Sequence, residues 1–292
     1  MNVKAEHALA FLAAAVAFAV LEGWLRIRSG RGYDRDALFG TLGVGLGQLV
    51  FNGLAGLGIG AVYLAAWSLT PLRQPLDAVW SWGLLFLLSE FLYYWQHRSS
   101  HEVRWLWATH SVHHSAEELT LPAAFRLGWT GSISGLWLFF LPLPLLGWHP
   151  AAVAAVLAFN LRYQYFLHSE LPPWLGPLEW VFNTPASHRV HHASNPAYID
   201  KNFGGVLIVF DRLFGTYARE TKDDPCRFGL TEPVASNNPF VIALHEWGRL
   251  LPAMWRSGSP WKALRVAAGY PGVRPAHAAK TTPPLEPLQR GL

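Results

Sequence analysis

Long apolar stretches separated by short polar segments dominate the first 170 residues of the chain. They cover residues 1–25, 37–72, 78–96, 128–148 and 150–168, and a Gly-Trp-His-Pro break divides the last two. The second stretch has no charged side chain, and its 36 residues are long for one membrane crossing and short for two. Because a helix needs about 20 mainly apolar residues to cross a bilayer, the pattern predicts an all-α integral membrane protein with about four to five transmembrane helices.

The rest of the chain predicts a more polar helical cap and a tail. Beyond Pro172 the apolar runs shorten and charged residues return, so we expect residues 1–256 to form one membrane-embedded domain. Residues 257–292 are rich in Pro, Gly and Arg, a composition typical of a poorly ordered tail. The N-terminal stretch has features of a secretory signal, but no clear cleavage site ends it, so we expect an uncleaved first helix.

Composition and charge support a membrane location. Charged residues make up only 14% of the chain, against about 25% in soluble domains. Arg26, Arg28, Arg31 and Arg35 lie between the first two apolar stretches, whereas the next loop has only Arg73. The positive-inside rule therefore places the first loop and the cap in the cytoplasm, at a bacterial plasma or inner membrane or at a eukaryotic endoplasmic reticulum. The net charge of +4 suits lipid head groups and does not indicate a nucleic-acid partner.

Histidines gather in three motifs at the ends of these stretches. HRSSH covers residues 97–101, HSVHH covers 110–114 and HRVHH covers 188–192. Because residues three or four apart share one face of a helix, each motif projects its imidazoles together. A polar stripe down the last apolar stretch ends at His168 on the same expected side, which adds a ninth candidate. The expected metal ligands are His97, His101, His110, His113, His114, His168, His188, His191 and His192.

Nine imidazoles exceed what one ion binds, so the motifs predict two metal ions. The lone Cys226 excludes an internal disulfide and a thiolate zinc cluster. Imidazole suits iron, zinc, copper and nickel, but zinc hydrolases typically carry HExxH, and HRSSH has no glutamate between its histidines. A histidine-bound metal pair beside apolar helices instead favours oxygen activation on a lipid. The alternatives are a membrane zinc-dependent hydrolase, a metal transporter, and a non-catalytic metal- or haem-binding membrane protein.

The motifs HxxxH, HxxHH and HxxHH resemble those of the fatty acid hydroxylase and sterol desaturase superfamily, which are integral-membrane enzymes with a di-iron centre. The text around them, such as SEFLYYWQHRSSHEVRWLWATHSVHHSAEE and IDKNFGGVLIVFDRLFGTY, is similar to the branch that contains alkylglycerol monooxygenase. The resemblance covers about residues 78–217. It implies that the nine histidines bind two iron ions in a cytoplasmic cap.

The resemblance also implies a reaction. It indicates a lipid oxygenase that uses O2 and an external reductant to hydroxylate or desaturate a C–H bond, and that cleaves an ether lipid when the attacked carbon adjoins the ether oxygen. The donor would be a tetrahydropterin in this branch, or cytochrome b5 or a ferredoxin-type carrier elsewhere, in each case as a separate partner. Glu90 and Tyr94 match the branch as well, and we expect them behind the ligands, with Glu90 orienting an imidazole or contacting the reductant.

Overall fold

A computed structural model describes residues 3–272 of the chain. Within this range the chain consists of helices, turns and loops without a β-strand, which confirms the all-helical expectation. The helices are α1 (Val3–Arg28), α2 (Arg35–Leu69), α3 (Val79–Glu102), α4 (Arg104–His114), α5 (Gly131–Ser134), α6 (Pro142–Leu145), α7 (Pro150–Tyr165), α8 (Pro185–His192), α9 (Val209–Leu213), α10 (Pro239–Arg256) and α11 (Pro260–Ala268). Short 3-10 turns cover Leu121–Phe125, Leu136–Phe140 and Gly176–Trp180.

Two described helices are long and apolar enough to cross a membrane, namely Leu9–Arg28 within α1 and the whole of α2. Helix α2 continues unbroken for 35 residues, which at 1.5 Å per residue is about 52 Å and exceeds the bilayer core of about 30 Å. The long uncharged stretch is therefore one helix and not two. Leu54 and Leu57 project outward from its middle, as in a lipid-facing helix. Its first turns pack instead on α10, where Gly43 has no room for a Cβ beside Pro239.

Helix α3 joins the third apolar stretch to the first histidine motif without interruption. It runs from Val79 to Glu102 and so carries Glu90 and Tyr94 on the same helix as HRSSH. The chain leaves the helix at Val103, whose backbone is extended, and α4 begins at the next residue. This abrupt turn brings the second histidine motif beside the first.

The expected continuous helix over residues 128–148 is wrong. This segment is divided into α5, the Leu136–Phe140 turn and α6. Gly135 adopts a φ of 83°, which ends α5, and Pro142 and Pro144 cannot donate the hydrogen bonds of a longer helix. The broken segment packs on α2 and α3, and the Tyr63 hydroxyl donates to the Trp137 carbonyl at 2.6 Å. Burial against neighbouring helices is the condition under which irregular backbone is tolerated at membrane depth.

Helices α4, α10 and α11 form the core of the cap. Trp247 and Leu250 of α10 pack on Ala108 of α4. Helix α11 lies within the segment for which we expect a poorly ordered tail, so the expectation needs correction there. It forms because the Ser259 hydroxyl accepts from the Lys262 amide at its start and because one of its faces packs on α4 and α10. Residues 273–292, most of the expected tail, lie outside the described residues.

Candidate metal centre

Nine histidine side chains converge where α3, α4, α7 and α8 meet. They form two groups, and within each group the candidate ligand nitrogens lie within 4.8 Å of one another. Eight of the nine are buried, and His110 is half-buried. Every histidine that the sequence selects is therefore in one place. The first group is His97, His101, His110, His114 and His191, and the second is His113, His168, His188 and His192.

The HxxHH spacing divides each motif between the two groups. In α4, His110 and His114 are four residues apart and belong to the first group, whereas His113 belongs to the second. In α8 the outer pair of histidines belongs to the second group and the inner one, His191, to the first. Residues four apart on a helix point in nearly the same direction, while the residue at the third position is turned away. Each motif helix therefore supplies both groups.

Main-chain carbonyl groups orient four of the rings through Nδ1. A neutral imidazole that donates from Nδ1 keeps a lone pair on Nε2, which fixes Nε2 as the ligand atom. The four contacts are from His97 to the Phe203 oxygen at 2.8 Å, from His113 to Arg126 at 3.3 Å, from His168 to Gln164 at 2.8 Å and from His191 to Lys201 at 3.0 Å. Both groups contain rings that are oriented in this way.

The distances between the ring nitrogens fit a shared cation. The Nε2 atoms of His113 and His168 are 3.1 Å apart, although both rings donate through Nδ1 and so present lone pairs to each other. The Nε2 atoms of His97 and His110 are 3.0 Å apart. Two nitrogens bound at about 2.1 Å to one ion lie about 3.0 Å apart at right angles and about 3.4 Å apart in a tetrahedron. A metal ion with more than four ligands therefore fits these spacings.

Unpartnered nitrogens at the centre point to the same conclusion. Nε2 of His101 and of His191 is buried without a hydrogen-bond partner, as is Nδ1 of His188. Leaving a buried polar atom unpaired costs about 1–3 kcal/mol, so a centre of such atoms indicates a ligand that pairs with them. The two Nε2 atoms belong to the first group, whereas His188 presents its Nε2 to the second group, 3.1 Å from Nε2 of His168 and of His192, so its Nδ1 is not part of the centre.

Burial keeps the cap histidines neutral, as metal binding requires. Burial is the largest cause, and the neighbouring imidazoles add to it by electrostatic repulsion, so the pKa values of the α4 and α8 histidines lie well below the ordinary value. Neutral imidazole is the form that binds a metal. The centre is therefore prepared for a cation without first losing protons near neutral pH.

Glu90 holds the loop that anchors two ligands. We call residues 200–207 the anchoring loop, because its carbonyl groups orient His97 and His191. Glu90 Oε2 accepts the amides of Val206 and Leu207, both at 2.8 Å, and its second oxygen accepts from a side-chain amide of α7. Glu90 therefore acts on the backbone of the loop, and not on an imidazole directly as the sequence suggests.

Asp211 holds the other half of the anchoring loop, and sequence reasoning missed it. Its carboxylate accepts the amides of Phe203 and Gly204 at 2.7 Å each, and the Thr216 hydroxyl also donates to it. Tyr94 is fully buried and bonds to the same hydroxyl at 3.0 Å. Burial raises the pKa of Asp211 to about 6, against the opposing effect of these hydrogen bonds. The only signal in the sequence was an aspartate within the DRLFGTY segment.

A second missed carboxylate, Asp200, lies beside the ring of His101. Its Oδ1 is 3.4 Å from Nδ1 of His101, and the hydroxyl of Tyr270 contacts its other oxygen. Asp200 has a φ of 59° and Asn202 one of 56°, a left-handed backbone that these residue types tolerate. The Asn202 amide also donates to the carbonyl of Ser187 in α8. Both residues therefore shape the loop that follows the third histidine motif.

Two separate openings reach the histidines from opposite sides. A cavity of about 360 Å³ is lined by His97, His110, His113 and His168 and lies among the long helices. A smaller pocket of about 140 Å³ reaches the remaining side of the centre, next to His101 and the rings of Trp107 and Tyr270. We call them the membrane-side cavity and the cap-side pocket. One can admit an apolar substrate while the other stays accessible from the cap.

Three further titratable side chains, two histidines and a glutamate, belong to neither histidine group. His149 caps the start of α7, where its Nδ1 accepts from the Ala151 amide. His245 lies in α10 and belongs to neither group. Glu118 pairs with the buried Arg26 at 2.8 Å, so it ties the cap to α1.

Comparison with known sequences identifies relatives of this chain. The family described as fatty acid hydroxylase matches residues 82–216. Alkylglycerol monooxygenase of Danio rerio is 42% identical over 70% of this chain and 45% of its own length, and the Homo sapiens protein of the same name is 39% identical over 69% and 44%. An ornithine lipid hydroxylase of Rhizobium tropici is 31% identical over 51% of this chain and 45% of its own length. The chain thus spans less than half the length of these relatives, and no solved structure matches it.

Proposed function

We propose that the chain is a membrane-bound di-iron oxygenase that inserts oxygen into a C–H bond of a lipid, and the match of residues 82–216 to the family described as fatty acid hydroxylase supports this proposal. The observation that carries this proposal is the convergence of nine imidazoles, in two groups, at the head of a cavity among apolar helices. The nearby carboxylates of Glu90, Asp200 and Asp211 belong to neither histidine group and contact the anchoring loop or the outer side of a ring. A centre with these ligands and this access fits redox chemistry on an apolar substrate.

The two groups of histidines would each hold one iron ion. Five imidazoles of the first group and four of the second offer ligands, and imidazole is a good ligand for iron. When bound, the iron pair would supply the redox chemistry that activates O2 with electrons from an external reductant. One oxygen atom then enters the lipid, and the other leaves as water with two electrons and two protons. We propose a donor separate from this chain, of the tetrahydropterin, cytochrome b5 or ferredoxin type.

The protein's own residues would orient the ligands and separate the substrate from water. Glu90 and Asp211 fix the anchoring loop, whose carbonyl groups set the direction of His97 and His191. The membrane-side cavity receives the lipid, and its apolar walls keep the reacting carbon away from bulk water. Glu90 and Tyr94 are therefore positioning residues, since neither lies against a histidine ring.

The relatives favour an ether lipid as the substrate. Two of the proteins reported above are named for alkylglycerols and one for an ornithine lipid, so a lipid with a polar head and a long chain is common to both names. Oxidation of the carbon beside an ether oxygen gives a hemiacetal, which collapses to an aldehyde and an alcohol. We propose ether cleavage as the outcome in this chain, with simple hydroxylation or desaturation as the other outcomes of the same attack.

The protein would lie in a bacterial plasma or inner membrane, or in the endoplasmic reticulum of a eukaryote, with its centre facing the cytoplasm. The arginines between α1 and α2 support this orientation. We propose four to five membrane-crossing segments in one domain over residues 1–256, because α3, the broken segment and α7 pack beside the two long apolar helices. A topology map with reporter fusions would place the α2–α3 loop opposite the histidines.

Metal loading tests the proposed reaction. The purified protein is loaded with Fe(II) or Zn(II) without air and then given O2, a reductant and an alkylglycerol. We expect O2 uptake and a product with one added oxygen, or its cleavage products, with iron alone. Lipid turnover by the zinc form without O2 would instead support a membrane hydrolase. A Soret band in the purified protein would support a haem protein.

A further inference from the structure

The membrane-side cavity continues far below the histidines. Beneath the part that contacts the four rings, a second part of about 460 Å³ extends to Tyr63 and Pro150. Both parts are lined by Asn52, Tyr93 and Leu161, so they form one space. The twelve residues of α7 from Pro150 to Leu161 span about 16 Å. The space is therefore elongated along α7, with the candidate metal centre at one end.

One stripe of α2 forms the wall of this space and changes character along its length. Gln48, Asn52, Gly56, Gly60 and Tyr63 are spaced by three or four residues and so share one face. Amide side chains lie at the end near the histidines, glycines in the middle and an aromatic ring at the far end. A Cβ added at either glycine would meet no atom within 4 Å, so these glycines leave open space.

Three side-chain amides near the histidines have no hydrogen-bond partner among residues 3–272. Gln48 and Asn52 of α2 face Gln96 of α3 across the cavity, and we call these three the amide ring. Among the residues that the structure describes, none forms a hydrogen bond with their side chains. Polar groups in apolar surroundings are unfavourable unless a ligand or water pairs with them. The amide ring therefore offers hydrogen-bonding atoms to a ligand that enters the cavity.

The charges around the cavity argue against a cationic ligand. Arg162 is the one charged side chain among the lining residues, and it is exposed at the edge. No carboxylate lines either part, which gives no site for a cationic head group. Amides both donate and accept hydrogen bonds, so hydroxyl and ether oxygens are suitable partners. Below the ring, Ile59, Trp137 and Leu157 offer only apolar surface or satisfied polar groups.

We propose that this cavity binds a single-chain lipid with its alkyl chain pointing away from the histidines, along Gly56 and Gly60, and with its neutral oxygen-bearing head at the amide ring. The inference rests on the proposed function and adds the direction in which the substrate lies. It follows that oxidation falls on the carbon beside the head group, because only the head end of the chain lies next to His97 and His110. Oxidation at the methyl end or in mid-chain would need the reverse orientation.

Two glycine substitutions in the same helix test where the chain lies. Gly60 lines the cavity, whereas Gly58 is exposed on another face, and a side chain at either position meets open space. In Gly60→Leu we expect the affinity for octadecylglycerol to fall about tenfold while that for octylglycerol is kept, since only the longer chain reaches the new side chain, which displaces several of its methylenes. Gly58→Leu should match the wild type for both. Equal profiles for the two variants would overturn the proposed placement.

A third variant tests the amide ring. Asn52→Leu removes hydrogen-bonding atoms and keeps a side chain of similar size, so we expect about tenfold weaker binding of hexadecylglycerol and unchanged binding of hexadecane. Equal losses for both probes would contradict the assignment of the head group to this ring. Thermal unfolding and bound metal are measured for each variant, and Gln48→Leu serves as a second test if Asn52→Leu does not fold.

Binding is measured by native mass spectrometry of the iron-loaded protein without a reductant, so no turnover is involved. If the wild type binds alkylglycerols with the expected profiles but never oxidises them, the proposed function fails and the binding site stands. If it oxidises them while Gly60→Leu and Asn52→Leu behave as the wild type, the binding site fails and the proposed function stands. Product analysis adds the position of the new oxygen, which should be on the carbon beside the head group.

Discussion

His113 and His168 face each other through their Nε2 atoms at 3.1 Å, while the Nδ1 atom of each faces a main-chain carbonyl oxygen. Because each ring uses its one proton on the carbonyl side, neither can donate a hydrogen bond to the other. The two lone pairs repel until a cation lies between them. This pair, which joins α4 to the end of α7, shows most directly why the histidines gather here.

Replacement of His113 should therefore abolish the metal centre. In His113→Ala the second group loses one of its four histidines, and we expect less bound iron and a loss of turnover of more than about 100-fold. The matched control is His149→Ala, which removes the cap of α7 and lowers stability by about 0.5–2 kcal/mol without changing iron content or turnover. Metal analysis and product formation check both. Full activity in His113→Ala would refute the ligand assignment.

Glu90 should be replaceable only together with Asn160, whose side-chain amide donates a hydrogen bond to it. In Glu90→Gln the new amide faces either loop amides or the Asn160 amide, so two donors meet, and we expect a loss of about 1–3 kcal/mol in stability with weaker iron binding. The swap Glu90→Gln with Asn160→Asp restores a donor opposite an acceptor and should recover much of both. The check is thermal unfolding combined with metal analysis. Additive losses in the double variant would show that the pair does not act as described.

Asp211 should affect the metal although it lies outside the histidine groups. Asp211→Asn places an amide against the backbone donors of Phe203 or Gly204 and loosens the anchoring loop that orients His97 and His191. We expect the affinity for iron to fall about 10–100-fold, the range found for residues behind a ligand. Competition with a chelator measures this. An unchanged affinity, with a folded protein, would remove Asp211 from the site.

Acid should destabilise the metal-free protein through the cap histidines. Burial lowers the pKa values of these histidines in the folded chain. Below about pH 6.5 the unfolded chain therefore binds protons that the folded chain does not bind. The stabilisation is present above that pH, and each such group reduces stability by about 1.4 kcal/mol per pH unit on acidification. Unfolding temperatures at pH 8, 7, 6 and 5 should fall in that order. A rise below pH 6.5 would contradict neutral rings.

The sequence predicts the centre better than the path of the chain through the membrane. The histidine groups can be read because ligand chemistry limits both the residue type and the spacing on a helix. His168 is recognisable only from the polar stripe that precedes it. The broken segment over residues 128–148 was harder to predict. Its apolar content indicates a membrane-spanning helix, while Gly135 and two prolines interrupt the helix locally.

The roles of the supporting carboxylates Asp200, Asp211 and Glu90 could not be predicted from the sequence, for a physical reason. Asp200 and Asp211 act through contacts between positions far apart in the chain, and nothing in their neighbours distinguishes them from loop aspartates. Glu90 was expected to act on a ring, but a carboxylate can accept from any donor that folding brings near. Residues of this kind are found by following hydrogen bonds in the structure.

The division of each HxxHH helix between the two groups has a consequence for how metal enters. An ion that settles in either position fixes α4 and α8, and both helices then present their other histidines to the vacant position. The conformational entropy of α4 and α8 is lost when the first ion binds, and the second ion does not lose it again. Metal uptake should therefore be cooperative. A metal titration followed by native mass spectrometry should then find mainly empty and doubly loaded chains, with few that carry a single ion.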